Sequence, residues 1–172
     1  TKHLPIQLIN LCIMLNFRQV FPIKQQSASV SAKGGKRMLV NEDLAQRIVD
    51  STISLVHRNV NIMNRDGMII ATGHPHRLHT FHKGAKDVIE TGMVIEIYPE
   101  QLNKYPGALQ GINLPIVLDE QVVGVIGVFG IPDEVRDTGR LVKTITELIL
   151  ERELLQEETR SRYKLREQFV ET

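Results

Sequence analysis

The stretch LQGINLPIVLDEQVVGVIGVFG, from Leu109 to Gly130, decides the fold. Two apolar runs, Leu109 to Leu118 and Gln121 to Gly130, flank Asp119-Glu120, and a two-residue connection between such runs reads as a tight β-hairpin. Both faces of both runs are apolar, which puts the hairpin at the centre of a sheet covered on either side. Gly124, Gly127 and Gly130 recur every third residue, a pattern that weakens a strand unless something approaches closely; packing is the expected reason.

Upstream, Arg58 to Thr72 reads as a second hairpin, with Val60, Ile62 and Met63 before the turn Asn64-Arg65-Asp66-Gly67 and Met68 to Ala71 after it. Before that hairpin, Asn41 or Asp43 can cap a helix whose apolar positions Leu44, Ile48, Val49, Ile53 and Val56 fall on one face. Between the hairpins lie a loop from Gly73 to Phe81, a short helix from His82 to Glu90 capped by Thr80 and stopped by Gly92, and a strand from Met93 to Tyr98. From Pro132 the chain reads as helix to its end, with Leu141, Ile145, Leu148, Leu155, Leu165 and Phe169 on a stripe. The expected fold is α+β: a five-stranded antiparallel sheet flanked by an N-terminal helix and a long C-terminal helix that cover its faces. This is the layout of PAS-like and Cache-like sensor domains, whose ligand lies between the sheet and the inserted segment, here residues 73–108.

Composition narrows the class. The 172 residues are 42% hydrophobic and 24% charged, so collagenous, disulfide-rich and wholly disordered chains are excluded. One cysteine, Cys12, cannot form a disulfide within the chain, and no apolar run is long enough to span a bilayer; a cytoplasmic protein is expected. Residues 1–37 carry six basic side chains and no acid, leaving 15 basic against 20 acidic in the remainder. That first segment reads as a basic, linker-like extension: a nucleic-acid or membrane arm, a docked helix, or a tail foreign to the domain, with Met38 as the native start. Residues 38–133 read as an effector-sensing core and 134–172 as a signalling or dimerisation helix, together one domain. Direct DNA binding is disfavoured by the acidic balance of that domain.

Candidate chemistry centres on HPHRLHTFHKGA, His74 to Ala85. His76, His79 and His82, spaced by three, can share one helix face as metal ligands, but Pro75 opposes a local helix and the cluster holds no cysteine or carboxylate. An anion site suits the residues better. Arg77 offers a fork of donors for a carboxylate, and a helix starting near His82 or Lys83 presents free N–H groups that Gly84 lets a ligand approach. Surface charges and a packing glycine are the plainer alternative. In Gln110-Gly111-Ile112-Asn113, two amides in an apolar strand need partners, which loop backbone or ligand hydroxyls can supply. No nucleophile and base pair, phosphate loop or cofactor motif stands out, so binding without catalysis is expected.

The blocks Ala45-Gln46-Arg47-Ile48-Val49, Asn61 to Ile70, Arg77 with His82-Lys83-Gly84-Ala85, Gln110-Gly111-Ile112-Asn113-Leu114-Pro115 and Val122 to Gly127 occur in order over some 125 residues. In them the chain from about Leu39 to Glu167 resembles the sugar-diacid recognition domain of the bacterial carbohydrate diacid regulators. The resemblance implies a sensor for glycerate, glucarate or galactarate, normally followed by a helix-turn-helix DNA-binding region. The ligand residues then expected are Arg77, His82, Lys83, Gly84, Ala85, Gln110, Gly111 and Asn113. A homodimer through the terminal helices is also expected. Two departures stand out: residues 1–37 match nothing in the family pattern, and His74, His76 and His79 enrich a loop that the pattern makes more acidic. The alternatives are a dimerisation module with a vestigial pocket and a metal-binding domain built on the His74–His82 cluster.

Overall fold

The computed structural model describes residues 40–170, with side chains to Glu167. The readings of residues 1–37 and of Met38 as a start lie outside the described residues. Helix α1 spans Glu42–Val56, and Asn41, not Asp43, is its cap: the Asn41 side chain accepts the Leu44 N–H at 2.7 Å. Glu42 and Asp43 instead stand in the first turn, where negative charge suits the helix dipole.

Strands β1 (Val60–Met63) and β2 (Ile69–Thr72) form the first hairpin. Its turn is built as the sequence suggests: Asn64 Oδ1 accepts the N–H groups of Asp66 and Met68, and Gly67 takes φ +80°. Strand β3 is confined to Ile95–Ile97, shorter than expected. Strands β4 (Gly111–Leu118) and β5 (Gln121–Phe129) pair from Gly111 with Phe129 to Leu118 with Gln121. Asp119 and Glu120 between them have φ of 48° and 63°, the left-handed pair that a two-residue hairpin turn demands. The sheet order is β2-β1-β5-β4-β3, antiparallel throughout, with the β4-β5 hairpin inside it as expected.

Helix α2 occupies Lys83–Thr91 and helix α3 Pro132–Val170. The terminal helices do not divide the two faces of the sheet between them. They touch one another on a single face, where α1 lies against β1 and β2, and α3 against β4 and β5. Gly139 of α3 sits so near Ile112 and Leu114 that a Cβ there would come within 2.9 and 3.1 Å of their side chains. Strand alternation therefore assigns the even-numbered residues of β4 to α3 and turns Gly111, Asn113 and Pro115 to the other face. That face is covered by α2, whose Ala85 and Val88 pack with Met63, Ile69 and Val125, while the short 3-10 turns Pro75–Arg77 and Pro99–Lys104 lie in the segments on either side of α2 in the chain.

Gly124 in β5 and Gly130 just beyond it answer to packing. A Cβ on Gly124 would lie 2.8 Å from Met63 O, and one on Gly130 2.5 Å from Val135 Cγ1. Gly111 is tighter still, since its Cβ would stand 2.4 Å from the carbonyl oxygen of Val128, a main-chain atom that cannot move aside. Gly111→Ala is expected to cost about 2 kcal/mol or more, on the scale of overpacking. Denaturant melts of the two proteins check it; an unchanged midpoint would show that the strands separate freely there.

Candidate ligand site

Of the buried polar side chains, Thr52 and Thr146 donate to carbonyls of their own helices. The other five, Asn61, Thr72, Arg77, His82 and Asn113, all belong to the α2 face of the sheet or the segment over it. An apolar layer holding so many polar groups is the structural signature of a site.

Arg77 ends a 3-10 turn beside β2, and its Nη2 donates to the carbonyl of Gly107 at 3.2 Å, in the loop leading into β4. The bond thus ties the segment after β2 to the loop before β4, two elements separated in the sheet by β1 and β5. It is only 9% exposed, and burial lowers its pKa from the usual guanidinium value. None of the ion pairs among the described residues includes it. A guanidinium has five N–H donors, and here one carbonyl is its only bonded partner among the described residues.

His82, not Thr80, caps α2. Its Nδ1 accepts the Ala85 N–H at 3.1 Å, while the Thr80 hydroxyl turns back to the Arg77 carbonyl at 2.6 Å. The neutral ring therefore carries its proton on Nε2. Burial pushes the His82 pKa down to about 4, the Arg77 charge adds to the effect, and a backbone hydrogen bond opposes it. At neutral pH the ring is uncharged and Arg77 is the buried cation.

Gly84 fits against that ring. A Cβ there would lie 3.2 Å from His82 Cε1 and 2.9 Å from Ile97 Cδ1, so glycine is what lets the capping ring lie flat on the helix start. Ala85 and Lys86 spend their N–H groups on His82, which leaves those of Lys83 and Gly84 without partners among the described residues. Two free N–H groups at the positive end of a nine-residue helix, beside a buried guanidinium, can receive an anion. The Lys83 ammonium is engaged elsewhere, 3.2 Å from Asp87 and 5.1 Å from the Tyr105 ring centre.

The floor is the α2 face of the sheet. Asn113 on β4 and Asn61 on β1 flank Gly127 of β5 in register. The structure thus sets Arg77, His82, Lys83, Gly84, Ala85 and Asn113 around one region. Gly111 belongs there by position, but its lack of a side chain answers to Val128. Gln110 immediately precedes β4, and its carbonyl accepts the Gly130 N–H at 3.3 Å. Asn61 and Thr72 were missed, although Asn61 carries the same signal as Asn113, an amide within an apolar strand.

The histidine-metal alternative does not survive the backbone. The 3-10 turn stops at Arg77 and His79 takes φ +61°, so no common helix face exists for His76, His79 and His82. His79 meets Glu42 at 3.1 Å, His76 stacks on His74, and His82 is committed to α2. Among the described residues no three His, Cys, Asp or Glu side chains form a group that could hold a metal ion. Among them too, no helix is long and apolar enough to cross a membrane.

The fold has solved counterparts. The GAF domain from an Acinetobacter phosphoenolpyruvate-protein phosphotransferase superposes with a TM-score of 0.53 at 10% identity, covering 87% of this chain and 95% of that one. The fold is therefore the α+β arrangement of a GAF domain, and not specifically the PAS or Cache layout expected from the sequence. The family model described as "Putative sugar diacid recognition" matches residues 40–172, and the chain belongs to that family. The carbohydrate diacid regulator of Escherichia coli K12 is 37% identical over 127 residues, 74% of this chain and 33% of the relative. A Haemophilus influenzae protein is 35% identical over 134 residues, 77% and 36% of the two chains. The chain spans about a third of the length of these curated relatives.

Proposed function

We propose that this domain senses a small hydroxy acid or sugar diacid of the glycerate, glucarate or galactarate type for a transcription regulator, by binding without catalysis. The observation that carries the reading is Arg77: a cation placed almost wholly out of water, with no carboxylate beside it among the described residues, is costly unless an anion comes to it. The ligand carboxylate takes Arg77 and the free N–H groups at the start of α2, and its hydroxyls take the floor at Asn113. The domain acts in the cytoplasm, in keeping with its regulator relative. It pairs as a homodimer along α3, where Leu141, Leu148 and Leu155 are exposed one heptad apart. Its output is a DNA-binding region beyond the matched span.

A thermal-shift screen of the chain against glycerate, glucarate and galactarate tests the reading. An acid present at 100 times its Kd stabilises by about 2.7 kcal/mol. No shift with any hydroxy acid at millimolar concentration would remove it.

The route to α3 starts at β3. Ile97 faces Gly84, whereas Glu96 between Ile95 and Ile97 turns to the opposite face and grips Arg136 of α3 through two bonds of 2.7 and 3.0 Å. Asp133 accepts a further bond of 2.9 Å from Arg136, and the Tyr98 hydroxyl stands 3.2 Å from an oxygen of each carboxylate, Glu96 and Asp133, with one proton to give. The Arg136 hydrogen bond, foremost, holds the Glu96 carboxyl below the usual range. Arg136→Met is expected to leave acid affinity within about twofold while suppressing ligand-induced changes in amide exchange along α3. Equal exchange responses in both proteins would exclude this route.

A further inference from the structure

The missed asparagine has an arrangement that a merely structural amide does not need. Asn61 Oδ1 accepts two bonds, from the Thr72 hydroxyl at 2.6 Å and from Asn59 Nδ2 at 3.1 Å. The Thr72 hydroxyl also accepts the His74 N–H at 3.0 Å, which leaves its own proton for the Asn61 carbonyl oxygen. With Oδ1 engaged in this way, Nδ2 of Asn61, a residue 7% exposed, has no partner among the described residues. On the other side of Gly127, Asn113 is 4% exposed and spends Nδ2 on the Ile95 carbonyl, at a long 3.4 Å. Its Oδ1 has no partner among the described residues and would stand 3.1 Å from a Cβ on Gly127. One unpartnered donor and one unpartnered acceptor thus flank Gly127, the single residue of that row with no side chain, where Met63 Cε would stand 3.4 Å from an added Cβ.

The geometry points to a hydroxyl-reading element: Asn61 Nδ2 donates to, and Asn113 Oδ1 accepts from, one hydroxyl of the bound acid, seated over Gly127. This rests on the proposed function and deepens it by adding Asn61 as a specificity-determining residue. A hydroxyl satisfies both groups because it accepts and donates at once. A carboxylate oxygen only accepts and would face Asn113 Oδ1, and a methylene would leave both amide groups buried and unpaired. The site therefore selects hydroxy acids over deoxy acids of the same length, with Thr72 and Asn59 holding Asn61 in the reading orientation.

Calorimetric titration of the full chain with two matched pairs, glycerate against propionate and glucarate against adipate, tests this. For the pair whose hydroxy acid binds, the hydroxy acid is expected to bind at least about tenfold more tightly than its deoxy partner. Asn61→Ala and Asn113→Ala are each expected to bring that ratio close to one, chiefly by weakening the hydroxy acid, while binding of the deoxy acid reports an intact fold. Thr72→Val, which frees Asn61 to turn over, is expected to lower the ratio in part. If the unaltered chain binds a hydroxy acid and Arg77→Met abolishes that binding, yet the ratio survives in both asparagine variants, the hydroxyl-reading role is overturned and the proposed function stands. If neither hydroxy acid binds the unaltered chain, both fall together.

Discussion

Arg77→Met is expected to weaken binding of the effector acid by about two orders of magnitude or more while leaving the domain as stable as before, or more so. The two halves of that result come from one fact. The guanidinium is nine-tenths buried with a single carbonyl acceptor among the described residues, so it has lost most of its hydration and regained little from the protein. Removing such a charge and filling its volume with a flexible apolar chain relieves that burden. With acid bound, the same group supplies charge-assisted bonds worth about 1.5 to 3 kcal/mol each, and a paired fork supplies two. A structural arginine behaves oppositely, because its loss lowers the melting temperature. Calorimetric titration with the acid and a thermal melt of the same variant separate the cases. A variant that binds normally but melts early would show Arg77 to be a strut for the Gly107 loop.

Stability is expected to fall by about 3 kcal/mol as pH drops from about 6.5 to about 4, on account of His82 alone. Its folded pKa, about 4, lies below the ordinary histidine value because burial, reinforced by Arg77, disfavours the charged ring. Between those two values the unfolded chain takes up a proton that the folded chain refuses. The contribution is therefore complete above pH 6.5 and is lost as pH falls. Glu96, held low chiefly by Arg136, adds a loss of its own as pH falls below the ordinary carboxylate value. His82→Asn isolates the effect, because asparagine keeps a capping acceptor for the Ala85 N–H and does not titrate. Chemical denaturation of both proteins at pH 7 and pH 4.5 is the measurement. An equal loss of stability in each would assign the acid sensitivity elsewhere.

Local chemistry carried most of the fold into view. Asp119-Glu120 between apolar runs, Asn64 to Gly67 between shorter ones, and Pro132 opening a long stripe place their elements within a few residues of where they stand. The distribution of the terminal helices did not follow. Which face a helix takes depends on strand order, and no residue of α1 or α3 encodes that order by itself. The capping of α2 was misplaced for a chemical reason: threonine is the commoner cap, but histidine serves when its ring is buried and neutral, and only tertiary packing makes it so. The site was half legible. Arg77 and the 82–85 segment stand out as unusual residues, and Asn113 as an amide among aliphatics. Asn61 carries the same signal two strands away, and its partnership with Asn113 depends on the register through Gly127.

The segment that carries Arg77 into the site also serves the edge of the sheet. Ile69 N–H bonds to Thr80 O, His79 N–H bonds to Ile69 O, and Met68 pairs with Phe81, so residues 79–81 occupy the otherwise open side of β2. Each time this segment lifts, it uncovers a bare apolar strand that a second molecule can join. An acid bound to Arg77 and to the start of α2 holds the segment down at both ends. Preparations stored with the effector are thus expected to stay clear at concentrations where ligand-free stocks turn cloudy, and the fitting acid can be chosen by turbidity before any affinity is measured.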